Sequence, residues 1–251
     1  MAFETINTGT LKSSFKNITV ALLTYKEEEN LRLLLPKIIK SLETIAIPYE
    51  ILVVDSNKAL DNTADVCSSY NVRYLNQPGK GFADAFNYAI INARNELFLI
   101  LDADGSHNPD YIPLMFEKFV NDKCDVVIGS RYVKGGKTHD KLTSILMSRL
   151  LNFIFRLTLG FKARDISTDY RMYYTDQLKK VCLNNENIDV LQEVLIKLRI
   201  NRPDLKIGEI PIEFEKRIYG KTKRKMVKFI LGYIKSLFKL TFLHLSKEVF
   251  R

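Results

Sequence analysis

Asp102 and Asp104 are the two side chains of this chain best placed to do chemistry. They close an apolar run, Leu97-Phe98-Leu99-Ile100-Leu101, that has the length of a buried strand. Side chains alternate along a strand, so acids at i and i+2 share a face if both lie on it, and a turn at that point also brings them together. Two carboxylates at the end of a core strand are costly to desolvate unless a cation or a hydrogen-bond network compensates them. A hard divalent ion that also grips a diphosphate does this, because Mg²⁺ is typically bound by one or two carboxylates plus phosphate oxygens. The plainer alternative is a strand end followed by an acidic turn, Asp104-Gly105-Ser106.

The elements that position these acids are legible as alternating short apolar runs and helical patterns. Ile18–Thr24, Glu50–Asp55, Val72–Leu75, the run ending at Asp102, and Asp125–Gly129 read as strands. Between them, Glu27–Ser41, Asp61–Tyr70, a segment ending near Arg94, and Pro109–Val120 read as helices. Gln77-Pro78-Gly79-Lys80-Gly81 has the residues of a turn. The alternation predicts an α/β domain with a mainly parallel sheet, whose ligands sit beyond the carboxyl ends of the strands. Thr24-Tyr25-Lys26-Glu27, Asp55, Lys80, Asp102/Asp104 and Ser130-Arg131 all fall at such ends or in the loops after them. That convergence reads as a site for a phosphorylated ligand.

After Arg131 the pattern changes. Leu142–Leu159 is a very apolar helix with Arg149 and Arg156 on one narrow stripe and Asn152 between. It reads either as a core helix with snorkelling arginines or as a helix lying at a membrane surface. Ile188–Ile200 reads as a helix and Lys206–Phe214 as a strand. From Lys223 the chain predicts a long helix with Lys225, Lys228, Lys235, Lys239 and Lys247 within an arc of about 120°. The large apolar share of its other faces favours an interfacial membrane helix over a docking or dimerisation helix.

The chain has 251 residues and a net charge of +9. Residues 216–251 hold eleven Lys or Arg and one acid, while the rest carries 27 basic and 28 acidic side chains. The body is neutral and the tail seeks anions. Cys67, Cys124 and Cys182 lack metal-ligand spacing and read as reduced thiols. No secretory signal and no apolar run long enough to span a bilayer is legible. Nucleic-acid binding by the tail is disfavoured, because such a groove is polar and basic throughout. The expected organisation is an arm (1–16), one domain (17–216), and a basic loop with an amphipathic helix (217–251).

Taken in order, these residues resemble family 2 glycosyltransferases of the GT-A fold, nearest to the branch that glycosylates polyprenyl (dolichyl) phosphate. Leu23-Thr24-Tyr25-Lys26-Glu27 resembles the "PTYNE" element, and Val53-Val54-Asp55 the strand end that contacts the donor base. Asp102-Ala103-Asp104 resembles the DXD metal motif, and Val127-Ile128-Gly129-Ser130-Arg131-Tyr132-Val133 with Gly135-Gly136 resembles "GSRYVxGG". Glu209–Phe214 is similar to "EvPi.F", and Arg217-Ile218-Tyr219-Gly220-Lys221-Thr222-Lys223 to "RxxGxSK". Ser56 and Ser106 stand where relatives carry an acid and a metal-holding Gln, and "SGFR" appears as Ser167-Thr168-Asp169-Tyr170-Arg171.

The resemblance implies inverting transfer of a hexose, mannose favoured, from a nucleotide sugar to a polyprenyl phosphate. The enzyme would work as a peripheral protein at the cytoplasmic membrane face, with Mg²⁺ or Mn²⁺ as cofactor. Asp102, Asp104 and Ser106 would hold the ion, and Asp104, Arg131 and Arg217 would serve catalysis, with Arg131 orienting the acceptor phosphate. Leu23, Tyr25, Glu27, Val54, Asp55, Lys80, Asp102, Ala103, Arg217 and Lys223 would line the donor site. Arg131 as a strand-end salt bridge is the alternative for that residue. His107, His139 and His244 read as structural or surface residues. UDP-glucose as donor stays open, as does a soluble acceptor activated by Asp165, Asp169 or Glu193, or a module that only binds nucleotide sugar.

Overall fold

The computed structural model describes residues 17–181, 183 and 190–219. The arm 1–16, Cys182, Lys223, His244 and the helix expected from Lys223 onward lie outside the described residues. The chain runs β1 (Ile18–Leu23), α1 (Glu28–Ile45), β2 (Tyr49–Asp55), α2 (Thr63–Ser69), β3 (Arg73–Asn76), α3 (Phe82–Asn92) and β4 (Leu97–Asp102). A 3₁₀ turn (Pro109–Tyr111) leads into α4 (Ile112–Asn121), then β5 (Val126–Ser130), β6 (Lys137–Thr138) and α5 (Leu142–Leu159). β7 (Arg171–Tyr174), α6 (Thr175–Lys179), α7 (Val190–Asn201), β8 (Ile207–Pro211) and β9 (Glu213–Phe214) complete it.

Seven strands form one sheet in the order β3-β2-β1-β4-β7-β5-β8, in which only β7 is antiparallel to its neighbours. Both faces are covered, which is why the strands read as continuous apolar runs rather than alternations. Val20, Leu22, Val53, Leu99 and Leu101 pack with α1, α2 and α4 on one face. Ala21, Leu52, Val54, Phe98 and Ile100 pack with α3, α5 and α7 on the other. The parallel register aligns Leu23 with both Val54 and Asp102, so the ends of β2, β1 and β4 form one row.

β7 was not legible as a strand, because Arg171 interrupts its apolar pattern. Arg171 is fully buried there and donates to the carbonyl oxygens of Thr168 (2.7 Å), Ile166 (2.7 Å) and Leu191 (2.7 Å). Charge-assisted bonds of this kind compensate a buried guanidinium and tie the loop before β7 to α7. The strand expected over Lys206–Phe214 is broken at Ile212. Its first part joins the main sheet as β8, and β9 pairs instead with β6.

The helix α5 is neither wholly core nor wholly surface. Leu151 and Phe155 are buried, whereas Leu142, Leu146, Leu150, Phe153 and Leu157 are 53–74% exposed and lie on one stripe.

Candidate active site

Of the paired acids, only Asp102 belongs to a strand. β4 ends there, and the chain turns through Ala103–Gly105. The turn is held by Ser106, which donates its N–H (2.9 Å) and its hydroxyl (2.6 Å) to Asp104 Oδ1; the hydroxyl also lies 3.3 Å from Asp102 Oδ2. The turn therefore brings the two carboxylates together, as one of the two expected routes. Gly105 is required here: its φ is +82°, and an added Cβ would fall 2.4 Å from Ile218 Cδ1.

His107 anchors the turn from below. It is buried between the rings of Tyr170 and Phe214, and its Nδ1 accepts the backbone N–H of Asp102 at 3.0 Å. A nitrogen that accepts an amide proton is unprotonated, so the ring is neutral with its proton on Nε2, 3.3 Å from Thr168 Oγ1. Burial holds its pKa below the usual histidine value, against the pull of Asp102 and Asp104. The same bond removes Nδ1 as a metal ligand, although Asp102, His107 and Asp169 offer ligand atoms within 4.8 Å of one another.

Asp169 enters this site through β7, whose antiparallel register sets the residues before Arg171 beside the end of β4. The Asp102 carboxyl is held well above the usual range by burial first and by Asp169 second. Its side chain keeps 34% of its surface open toward the site, so solvent softens that effect. Asp102, Asp104, Asp169 and the Ser106 hydroxyl form a set of hard oxygen donors, the chemistry that suits Mg²⁺ or Mn²⁺. A cation already answers part of this charge: Arg217 Nη2 lies 2.8 Å from Asp104 Oδ2.

The donor-side residues converge on the same rim. Glu27 is buried at the start of α1, takes Asn30 Nδ2 at 2.5 Å, and faces Arg217 Nη1 at 3.3 Å. With Lys26, Glu28, Asn30, Asp61 and Tyr219 these two line a cavity of about 240 Å³. Tyr25, the residue before Lys26, is exposed. Asp55, at the end of β2, accepts the Ser56 N–H (2.8 Å) and the Tyr74 hydroxyl (2.9 Å), and burial pushes the Tyr74 phenol up to about 12. Lys80 is exposed in the loop before α3. Leu23, Val54 and Ala103 lie in or beside the row of strand ends, with Val54 and Ala103 buried.

Arg131, expected to orient the acceptor phosphate, is engaged in the structure by a carboxylate of its own chain. Its fork is spent on Asp165, with Nε 2.8 Å from Oδ2 and Nη2 2.9 Å from Oδ1, and Nη2 also donates to Ser167 Oγ at 2.7 Å. Two apolar faces, the rings of Tyr132 and Phe214, flank the guanidinium. The salt-bridge alternative is the arrangement found, because a buried guanidinium and carboxylate each need the other. Asp165 is thereby held below the usual carboxylate range by Arg131 despite its burial. Glu193 is also buried, 2.6 Å from Lys197 on α7.

Sequence reasoning missed Asn30 and the cleft beside α5. A polar residue within the apolar stripe of α1 was the available signal for Asn30, which also accepts the Tyr219 N–H at 3.0 Å. The cleft, about 410 Å³, is lined by Arg149, Arg156 and Arg164 with Tyr132, Asn152 and Phe153. Arg164 comes from a loop that only the fold brings there.

A mainly parallel sheet covered on both faces, with acids at the end of β4 and Arg217 laid over them, defines a GT-A glycosyltransferase. The chain belongs to Glycosyl transferase family 2, whose profile matches residues 19–182. It is 31% identical over 231 residues to a dolichol-phosphate mannosyltransferase of Pyrococcus furiosus, covering 89% of this chain and 63% of that protein's length. It is 28% identical to a dolichyl-phosphate hexose transferase of Haloferax volcanii (84% of this chain, 87% of that one). An undecaprenyl-phosphate mannosyltransferase of Micrococcus luteus is 30% identical (80% and 84%). Among solved structures, glucosyl-3-phosphoglycerate synthase of Mycobacterium tuberculosis, bound to Mn²⁺, UDP and phosphoglyceric acid, shares the fold. It has a TM-score of 0.73 at 14% identity, covering 93% of this chain and 81% of that one. Another crystal structure of that enzyme holds Mg²⁺ with UDP. Among the described residues no helix is long and apolar enough to cross a membrane.

Proposed function

We propose that this glycosyltransferase moves a hexose, mannose in preference, from a nucleotide sugar to a polyprenyl phosphate of the dolichyl type, at the cytoplasmic face of a membrane. The observation that carries the lipid acceptor is α5: an exposed apolar stripe beside a cleft lined by three arginines. The arginines suit a phosphate headgroup and the stripe suits acyl or prenyl chains. The names of the curated relatives support the same acceptor class. Arg149, Arg156 and Arg164 line the cleft beside Tyr132 and join the neighbouring Arg131 as the cations that receive the acceptor phosphate. Exposing a prenyl chain to water costs about 0.8 kcal/mol per CH₂, so the enzyme goes to the lipid.

Asp102, Asp104 and Ser106 would hold Mg²⁺ or Mn²⁺, which supplies charge neutralisation at the leaving diphosphate. Glu27 and Asp55 hold the nucleoside with Leu23, Tyr25, Val54 and Ala103, and Lys80, Arg217 and Lys223 meet the diphosphate. An acceptor phosphate oxygen attacks the anomeric carbon from the face opposite the departing nucleoside diphosphate, which inverts that centre. The acceptor is already an anion near neutral pH, so no general base is needed. This agrees with Asp165 and Glu193 being committed to Arg131 and Lys197.

The test is transfer of labelled sugar from GDP-mannose and from UDP-glucose to a polyprenyl phosphate in detergent with Mn²⁺. Metal-dependent lipid-linked product from GDP-mannose, lost in Asp104→Ala, is expected. Product from UDP-glucose alone would reassign the sugar. No lipid-linked product from protein that binds nucleotide and metal would sink the acceptor.

A further inference from the structure

The segment after β9 lies across the acidic turn as a strap. Glu215 N–H donates to Ser106 O (2.9 Å), Ile218 N–H to Asp104 O (3.0 Å), and Tyr219 N–H to Asn30 Oδ1 (3.0 Å). The Ile218 side chain covers Gly105, where any side chain would lift it. Between these anchors Arg217 reaches down and spans two acids from different elements, Asp104 (2.8 Å) and Glu27 (3.3 Å).

The atoms contacted matter. Asp104 Oδ1 is committed to the N–H and hydroxyl of Ser106. Oδ2 is the oxygen left to face a cation, and Arg217 occupies it. A guanidinium and a divalent ion on one carboxylate oxygen would stand within a few ångströms of each other, where like charges repel strongly even near a protein surface. Both cannot be held well at once.

We propose that Arg217 is a built-in counter-ion for Asp104 and Glu27 in the metal-free enzyme, which an incoming divalent ion displaces and which then becomes free for the donor diphosphate. This rests on the nucleotide-sugar reading of the site. Coupling between the strap and the metal is reciprocal. Whatever seats the strap weakens metal binding, and a diphosphate that gives Arg217 a new partner strengthens it. The strap is thin enough to lift, since Arg217 is 28% exposed at its side chain and Ile218 and Tyr219 are 42% and 46% exposed.

The experiment is Mn²⁺ titration of the full chain without lipid or sugar donor, read by the loss of the free Mn²⁺ EPR signal, with and without GDP or UDP. Wild type is compared with Arg217→Gln, which removes the cation, and Ile218→Ala, which loosens the strap and keeps every charge. Circular dichroism reports whether each variant is folded. Without nucleotide, both variants bind Mn²⁺ roughly five-fold tighter or more than wild type. Nucleotide tightens Mn²⁺ in wild type and does so less in Arg217→Gln. Tighter binding in Arg217→Gln with Ile218→Ala unchanged would reduce the effect to through-space charge and overturn the strap. Equal affinities in all three proteins, or no Mn²⁺ bound by any, would overturn it as well. If the expected pattern appears but no sugar is transferred from any donor, the counter-ion stands and the transferase reading fails.

Discussion

The imidazole of His107 accepts the backbone N–H of Asp102 at 3.0 Å, so a side chain five residues downstream fixes the strand end that carries the first acid. Truncating His107 to Ala leaves a buried N–H without its acceptor and a hole between the rings of Tyr170 and Phe214. A loss of about 2–4 kcal/mol in urea unfolding is expected. A loss below about 1 kcal/mol would mean that the turn holds itself.

Asp104→Asn keeps the shape of the turn and removes charge. The variant is expected to keep its far-ultraviolet spectrum while turnover with saturating donor falls by about 10²-fold or more. Activity within a factor of about three of wild type would remove Asp104 from the chemistry.

The Arg131–Asp165 pair contributes to stability, with Asp165 fully buried and the Arg131 side chain only 9% exposed. Asp165→Asn alone should cost about 3–5 kcal/mol, because it strands a buried guanidinium. Replacing both, as Arg131→Met with Asp165→Leu, should cost less than the sum of the two single changes. Additive losses in a double-mutant cycle would contradict direct coupling.

Two buried thiols make an alkaline prediction. Burial pushes Cys67 up to about 12 and raises Cys124 too. Both thiols should resist Ellman's reagent at pH 8 and react only in denaturant. The unfolded chain releases these protons near the ordinary thiol value of 9.0 and the folded chain does not, so they contribute stability that is present below that pH and lost as pH rises toward 12. Chemical denaturation repeated from pH 8 to 11 should show the midpoint falling; a flat profile would deny the shift.

The stripe on α5 is open to a test that leaves the core alone. Leu146→Gln with Leu157→Gln changes side chains that are 59% and 74% exposed. The melting temperature should hold within a degree or two (~0.5 kcal/mol) while sedimentation with anionic vesicles drops by about ten-fold. Unchanged sedimentation would take α5 off the membrane.

Each parallel strand of the sheet and each longer helix packed on it left a periodic trace, because burial on both faces demands apolar runs and amphipathic stripes; the five-residue α6 is too short to leave one. The acids of the site were legible for the opposite reason: Asp102 and Asp104 interrupt such a run at a strand end. β7 left no such trace. Its buried Arg171 is compensated by carbonyls from the loop before it and from α7, partners that exist only once the chain is folded.

The sequence by itself determined the class of fold, the order of the motifs, and that Glu27, Asp55, Asp102 and Asp104 fall at strand ends or in the loops just after them. Those follow from periodicity and from the places where polar residues break it. Only the tertiary structure decided how the charges pair. It paired Arg131 with Asp165, brought Asp169 beside Asp102 through an antiparallel strand, and set Arg217 on Asp104 across more than a hundred residues of chain. Electrostatic partners are chosen by distance in space and by the burial around them, and neither is written in the spacing of residues along the chain.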